Sequence, residues 1–124
     1  MMQTLIVEDN TLFREYLVEL LCEQFPAMHI AEARDGDEAW SEFLAHRPDL
    51  ILMDIRLPGS NGLELTRSIK NSEPGVVVII LTSYDLPEYQ EAARQNGASF
   101  FLTKGKASQE EILDLVRPLA HSHP

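Results

Sequence analysis

The sequence predicts an α/β fold of the (βα)5 kind, with parallel strands joined by helical crossovers. Three observations carry this prediction. Five short apolar runs rich in β-branched or aromatic residues recur at 5–7, 29–33, 50–53, 76–81 and 99–102. The segments between them show helical spacing and are longer than a hairpin connection uses, which favours crossovers between parallel strands. Four capping-box pairs stand where helices should begin: Asp35 with Glu38, Asn61 with Glu64, Asp85 with Glu88 and Ser108 with Glu111.

Taken in order, the run at 5–7 is the first strand, and Phe13, Leu17, Leu20 and Leu21 form the buried stripe of the first helix. After the strand at 29–33, Asp35 opens a second helix whose packing face is Trp40, Phe43 and Leu44. Pro48 stops that helix before the strand at 50–53, and Pro74 does the same for the third helix before 76–81. Asp85 is expected to cap the fourth helix. The last helix carries Ile112, Leu115, Val116 and Leu119, and Pro118 is expected to end or kink it near Val116 or Arg117, because proline removes a backbone donor. The tail "HSHP" reads as a frayed end or the start of a linker.

A chain of 124 residues, 44% hydrophobic, fits a single domain over 1–124 with one core. Cys22 is the only cysteine, so disulfide frameworks and thiolate zinc clusters are excluded. It reads as a small core residue. His29, His46, His121 and His123 form no metal-ligand spacing and are read as surface residues. No apolar run reaches the roughly 18 residues that span a bilayer, and "MMQTLIVED" lacks the features of a signal peptide, so the expected location is the cytoplasm. A formal charge of −10 repels nucleic acid and acidic membranes, and neither is expected as a direct partner.

Ligands of open parallel sheets bind beyond the carboxyl ends of the strands. The first strand is followed by Glu8 and Asp9, the third by Asp54, the fourth by Thr82 and Ser83, and the fifth by Thr103 and Lys104. Asp54 directly follows the apolar run Leu50, Ile51, Leu52 and Met53. A carboxylate there is costly unless a cation, a donor or solvent meets it. Three carboxylates at one sheet edge repel one another and raise at least one pKa unless a cation enters. An all-oxygen site with room for water suits Mg²⁺ better than zinc. With Thr82 and Lys104 nearby, the set suits a carboxylate nucleophile that accepts a phosphoryl group.

The pair "ED" after the first strand, "MDIRLPGSNG" around Asp54, "LTS" ending the fourth strand and "FFLTKG" ending the fifth resemble the receiver domain of two-component response regulators. The resemblance covers nearly the whole chain, with its parts in order at the expected strand ends. It implies a flavodoxin-like, doubly wound five-stranded parallel sheet in the order 2-1-3-4-5. It further implies that Asp54 is the phosphoacceptor, that Asp9 and Asp54 bind Mg²⁺ with Glu8 assisting through water, and that the Arg56 carbonyl completes the protein ligands. Thr82 and Lys104 would hold phosphoryl oxygens, Thr82 and Phe101 would form the switch pair, and Pro58 and Gly62 would shape the loop.

The implied donor is a sensor histidine kinase or phosphotransfer protein, docking on the exposed side of the first helix near Arg14 and on the loops around the site. The implied output runs through helix 4, strand 5 and helix 5 to an output domain or downstream protein, and the last helices are a candidate surface for a phosphorylation-dependent homodimer. Such a module is a signal transducer that modifies itself, not an enzyme acting on a separate substrate.

Gly105 stands where many receivers carry proline. Together with "DIRLPGSNGLEL" it is similar to the NarL/LuxR-type subfamily, whose members carry a helix-turn-helix output domain and regulate transcription. Arg56 is expected to alter the aspartyl-phosphate lifetime.

Taken singly, an acidic pair is usually a solvated strand end, Thr82 a strand terminus, Lys104 a surface lysine and Phe101 a core ring. Their coincidence at four strand ends favours the receiver reading. A phosphohydrolase would need a second aspartate where Arg56 stands. A flavodoxin-like cofactor binder would need glycines or hydroxyls where "EDNTL" offers acids.

Overall fold

The computed structural model describes residues 2–121, so the 122–124 part of the tail, with His123, lies outside the described residues. Five strands run parallel: β1 (Gln3–Val7), β2 (His29–Ala33), β3 (Leu50–Met53) and, after a two-residue ladder of β4 (Arg56–Leu57) and β5 (Ser60–Asn61), β6 (Val77–Thr82) and β7 (Phe100–Thr103). The sheet order is β2-β1-β3-β6-β7. That is the order 2-1-3-4-5 that the family resemblance implies, with the five apolar runs as its strands. The antiparallel ladder β4–β5 is an addition to the expectation, closed by a Pro58-Gly59 turn in which Gly59 takes φ 66.

The central strands are apolar on both faces because both faces are covered. Leu5, Val7, Ile51, Met53, Val78 and Ile80 meet Ala39 and Phe43 of α2 (Gly36–His46), Leu63 and Ile69 of α3 (Gly62–Ser72) and Ala93 of α4 (Pro87–Gln95). The alternate residues Ile6, Leu50, Leu52, Ile79 and Leu81 meet Leu17, Leu20 and Leu21 of α1 (Thr11–Gln24) and Ile112, Leu113 and Val116 of α5 (Gln109–His121). Three helices therefore lie on one face and two on the other.

Three of the four expected caps form. Asp35 Oδ1 accepts from the Glu38 amide at 2.9 Å, and Asn61 Oδ1 accepts from the Leu63 amide at 2.7 Å. Ser108 and Glu111 make the full reciprocal box, at 3.1 and 3.2 Å. Asp85 does not cap α4. Pro87 occupies the first turn, Leu86 is the N-cap without a side-chain bond, and Asp85 instead accepts from Lys106 Nζ at 2.6 Å.

Four further expectations are corrected. Helix α5 continues through Pro118 to His121. The carbonyl that loses its donor belongs to Asp114, an exposed residue, while the apolar stripe holds the helix on the sheet. Cys22 is exposed, one position past the buried Leu21 and on the side of Glu15 and Glu19. Leu44 is also exposed, leaving Trp40 and Phe43 as the packing pair of α2, with ring centroids 5.4 Å apart. Arg14 is not part of an exposed face, since its side chain is only 11% exposed.

Candidate functional site

The strand order reverses between β1 and β3, whose carboxyl ends lie side by side with Val7 beside Met53. The next residues, Glu8 and Asp54, therefore leave the sheet together. The Asp54 amide donates to the Val7 carbonyl at 3.1 Å, and the Glu8 amide donates to the Ala33 carbonyl at 2.9 Å. Backbone pairing thus fixes both residues before their side chains interact. Asp9 follows on the exposed rim, and carboxylate oxygens of Glu8, Asp9 and Asp54 lie within 4.8 Å of one another.

Two groups meet the Asp54 carboxylate, which is on a residue only 7% exposed. Oδ1 accepts from the Ile55 amide at 2.7 Å, and Oδ2 accepts from Lys104 Nζ at 2.9 Å. Lys104 arrives from the end of β7, where its amide donates to the Thr82 carbonyl at 2.8 Å. Its ammonium also pairs with Glu8 Oε1 at 2.5 Å and lies 4.7 Å from the centroid of the Phe13 ring. Gly105 takes φ 81, a conformation that glycine adopts freely, and the described residues contain no cis peptide bond.

Burial is the main force that pushes the Glu8 carboxyl above the usual carboxylate range. The Asp54 charge adds to it, while Lys104 and the Asn10 amide oppose it. For Lys104, burial works against the ammonium, but hydrogen bonds and charge from Glu8 and Asp54 outweigh it and hold its pKa above the ordinary lysine value. One ammonium between two buried carboxylates leaves the three-acid cluster with net negative charge. A hard divalent cation would offset that excess. The donor set is all oxygen and one of its members is exposed, which fits Mg²⁺ with retained waters.

Thr82 is fully buried at the end of β6, and its hydroxyl accepts from the Tyr84 amide at a long 3.4 Å. Phe101 sits on β7 beside Ile80, half-buried against the core and three residues before Lys104. It belongs to the sheet behind the acidic cluster and not to the cluster. Arg56 is exposed, and its guanidinium lies 4.5 Å from the centroid of the Tyr84 ring. This stacking bridges the loops after β3 and β6. Gly62 closes the β3–α3 loop by donating to the Ile55 carbonyl at 2.6 Å, and a Cβ there would fall 1.9 Å from the Asp54 carbonyl oxygen. Only glycine permits that approach without shifting the Asp54 backbone.

Several supporting roles escaped the sequence reading. Asn10 caps α1 by accepting from the Phe13 amide at 2.9 Å, and its own amide donates to Glu8 Oε2 at 3.0 Å. Its residue type just before the helix was the available signal. Arg14 donates to the Glu8 carbonyl at 2.7 Å and to Glu32 Oε1 at 3.0 Å, bracing the β1 end. Tyr84 carried no signal, since its role depends on a loop geometry that spacing does not reveal.

A family model described as the response regulator receiver domain matches residues 4–117. Among curated proteins, the oxygen regulatory protein NreC of Staphylococcus haemolyticus is 35% identical over 117 residues, covering 94% of this chain and 54% of that protein. The transcriptional regulatory protein LnrK of Bacillus subtilis is 39% identical over 104 residues, covering 84% and 47%. The chain spans about half the length of these relatives. Among solved structures, the receiver domain of the putative response regulator NarL from Mycobacterium tuberculosis superposes with a TM-score of 0.85 at 30% identity, covering 98% of both chains.

Proposed function

We propose that this chain, which belongs to the response regulator receiver domain family, accepts a phosphoryl group on Asp54 and relays the change to a partner. The family is that of two-component signalling, and the relatives include transcriptional regulators. We read residues 1–124 as one receiver domain. The observation that carries the phosphoacceptor reading is the placement of Asp54: a carboxylate at the switch point of the sheet, pinned by the Ile55 amide and Lys104, within 4.8 Å of two other acids.

In the proposed reaction an Asp54 carboxylate oxygen attacks the phosphorus of a phosphohistidine on a sensor kinase or phosphotransfer protein. A P–O bond forms, the P–N bond breaks, and the imidazole nitrogen keeps the electron pair and takes up a proton. Asp9 and Asp54 would ligate Mg²⁺, with Glu8 behind them through water and the Arg56 carbonyl as a further ligand. The bound cation would supply charge neutralisation for the entering phosphoryl oxygens. The Ile55 amide holds Asp54 in position during attack. Lys104 already faces Asp54 and would exchange a carboxylate oxygen for a phosphoryl oxygen.

Phosphorylation adds about two negative charges at the end of β3. The Thr82 hydroxyl, whose bond to the Tyr84 amide is long, can leave that donor and turn to a phosphoryl oxygen. The space it vacates admits the Phe101 ring, and the face formed by α4, β7 and α5 changes for its partner, an output domain or downstream protein. A phosphorylation-dependent homodimer through the last helices belongs to the same reading.

Intact mass after incubation with acetyl phosphate tests the chemistry. A single phosphoryl adduct is expected with Mg²⁺, with little adduct in a chelator and no adduct in Asp54→Ala. A Mg²⁺-dependent adduct that persists in Asp54→Ala would overturn the assignment.

A further inference from the structure

The Lys104 ammonium carries three N–H donors. Among the described residues two carboxylates take them, Asp54 at 2.9 Å and Glu8 at 2.5 Å. The remaining neighbour is the Phe13 ring, over whose face Nζ lies 4.7 Å from the centroid. Only 16% of the lysine side chain is exposed, so the ring stands where water would otherwise solvate the cation. Ring and lysine both border an apolar cleft of about 330 Å³ between α1 and α5, whose other walls are Tyr16, Leu81, Gly105, Ala107 and Ile112. No carboxylate lines that cleft, and the quadrupole of the ring is the attraction offered to the ammonium on that side.

Phe13 also belongs to the apolar stripe of α1 and packs against the cluster that holds Leu17. Packing alone would be served as well by leucine. What packing does not explain is how the ring is tied to one of the lysine's own anions. Asn10 Oδ1 accepts from the Phe13 amide at 2.9 Å, while the Asn10 amide donates to Glu8 Oε2 at 3.0 Å. The cap of α1 thus fixes the ring-bearing residue and the Glu8 carboxylate together. Tyr16, with its centroid 5.5 Å away, packs beside the ring.

We infer that Phe13 is a positioning residue for phosphoryl uptake, its ring face holding the Lys104 ammonium at the Asp54 carboxylate. The inference rests on the reading of Asp54 as phosphoacceptor. During attack the Asp54 oxygen that bonds phosphorus loses charge, and Lys104 changes the oxygen it pairs with, whereas the ring and Glu8 stay. A ring face holds a cation without fixing which acceptor its N–H groups choose, so the ammonium can make this exchange in place. A seat built before the reaction supplies charge with no reorganisation during it. Phe13 acts through Lys104.

The test compares Phe13→Leu, which keeps apolar bulk without a ring, with Phe13→Tyr, which keeps the ring face. Phosphorylation of the full chain by acetyl phosphate is followed by intact mass across a Mg²⁺ series. Phe13→Leu is expected to lower the rate constant at saturating Mg²⁺ about threefold to tenfold, the range that a partly desolvated cation–π contact spans. Phe13→Tyr should restore most of the parent rate. The half-saturating Mg²⁺ concentration should not move in either variant, because the acids keep their places. The Lys104 ε protons, read by NMR at one pH, should lie upfield through the ring current in the parent and in Phe13→Tyr, and at the ordinary lysine position in Phe13→Leu. Phe13→Met is read in the same way should Phe13→Leu not fold. An unchanged rate without the ring, a Phe13→Tyr variant as slow as Phe13→Leu, a displaced Mg²⁺ midpoint, or ordinary ε shifts in the parent would each overturn the inference and leave Asp54 as acceptor. A parent chain that forms no adduct would instead overturn the phosphoacceptor reading, and the inference with it.

Discussion

Arg56 and Tyr84 form a contact that neither residue announces by type. One stands two positions past Asp54, the other two past Thr82, and the guanidinium lies 4.5 Å from the ring centroid. Tyr84 also meets Tyr89 edge-to-face, with centroids 5.8 Å apart, which adds a second ring contact to the one with the cation. The stack joins the two loops that would flank a phosphorylated Asp54, and on the proposed function it would hold them together against the approach of hydrolytic water. Arg56→Ala is expected to speed loss of the phosphoryl group roughly two- to fivefold, the rate equivalent of ~0.5–1 kcal/mol of lost stacking. The decay of phosphoprotein after removal of acetyl phosphate measures it, and an unchanged decay would count against any role for the stack. The acids and Lys104 were legible because each directly follows a strand-like run, and a strand end fixes where a side chain must go. Arg14 and Tyr84 were not, because a helix or loop residue can point in several directions.

At the scale of elements, the apolar runs located every strand of the main sheet to within a residue or two, most directly the central ones, where two covered faces demand unbroken apolar residues. Helix starts were less legible, since the same residue types serve as caps and as surface partners. Asp85 and Ser108 show the difference. Both stand three residues before a glutamate, but Pro87 shifts the start of α4 so that Asp85 lies outside it and turns to Lys106. Nothing shifts α5, where Ser108 and Glu111 satisfy each other's amides. Ser108→Ala is therefore expected to cost about 1 kcal/mol, seen as a fall in melting temperature of roughly 3–6 °C. Asp85→Ala should melt close to the parent, because it loses only an exposed ion pair. If the two variants lost equal stability, the α4 start described above would be wrong. Pro118 teaches a related lesson: a missing donor matters less where the orphaned carbonyl belongs to an exposed residue and the stripe beneath it stays packed.

Across the whole molecule the dominant electrostatic fact is an acidic chain that gathers three of its acids at one end of its sheet. Lys104 compensates only part of that charge, so a group that raises its own pKa by burial bears on the stability of the fold. The folded protein holds the Glu8 proton at pH values where the unfolded chain has released it. This contribution therefore weakens the fold as pH rises from the ordinary glutamate range through the raised value. Lys104 acts in a different window: burial lowers its pKa but Glu8 and Asp54 outweigh it, so its contribution is full below the ordinary lysine value and lost as pH rises through the raised one. Between these windows the Glu8 carboxylate carries charge in the folded state, and a cation that binds only the folded state stabilises it in proportion to the logarithm of its concentration. Mg²⁺ is accordingly expected to raise the melting temperature at pH 7.5 with a logarithmic dose response, and EDTA to reverse it. The rise should shrink as the pH falls far enough to protonate Glu8. Asp54→Asn should blunt the response to Mg²⁺ and, by removing one of the crowded charges, melt no lower than the parent in EDTA. Sodium chloride at matched ionic strength separates site binding from general screening of the −10 charge. If sodium reproduced the whole effect, the acids would be repelling one another without forming a cation site.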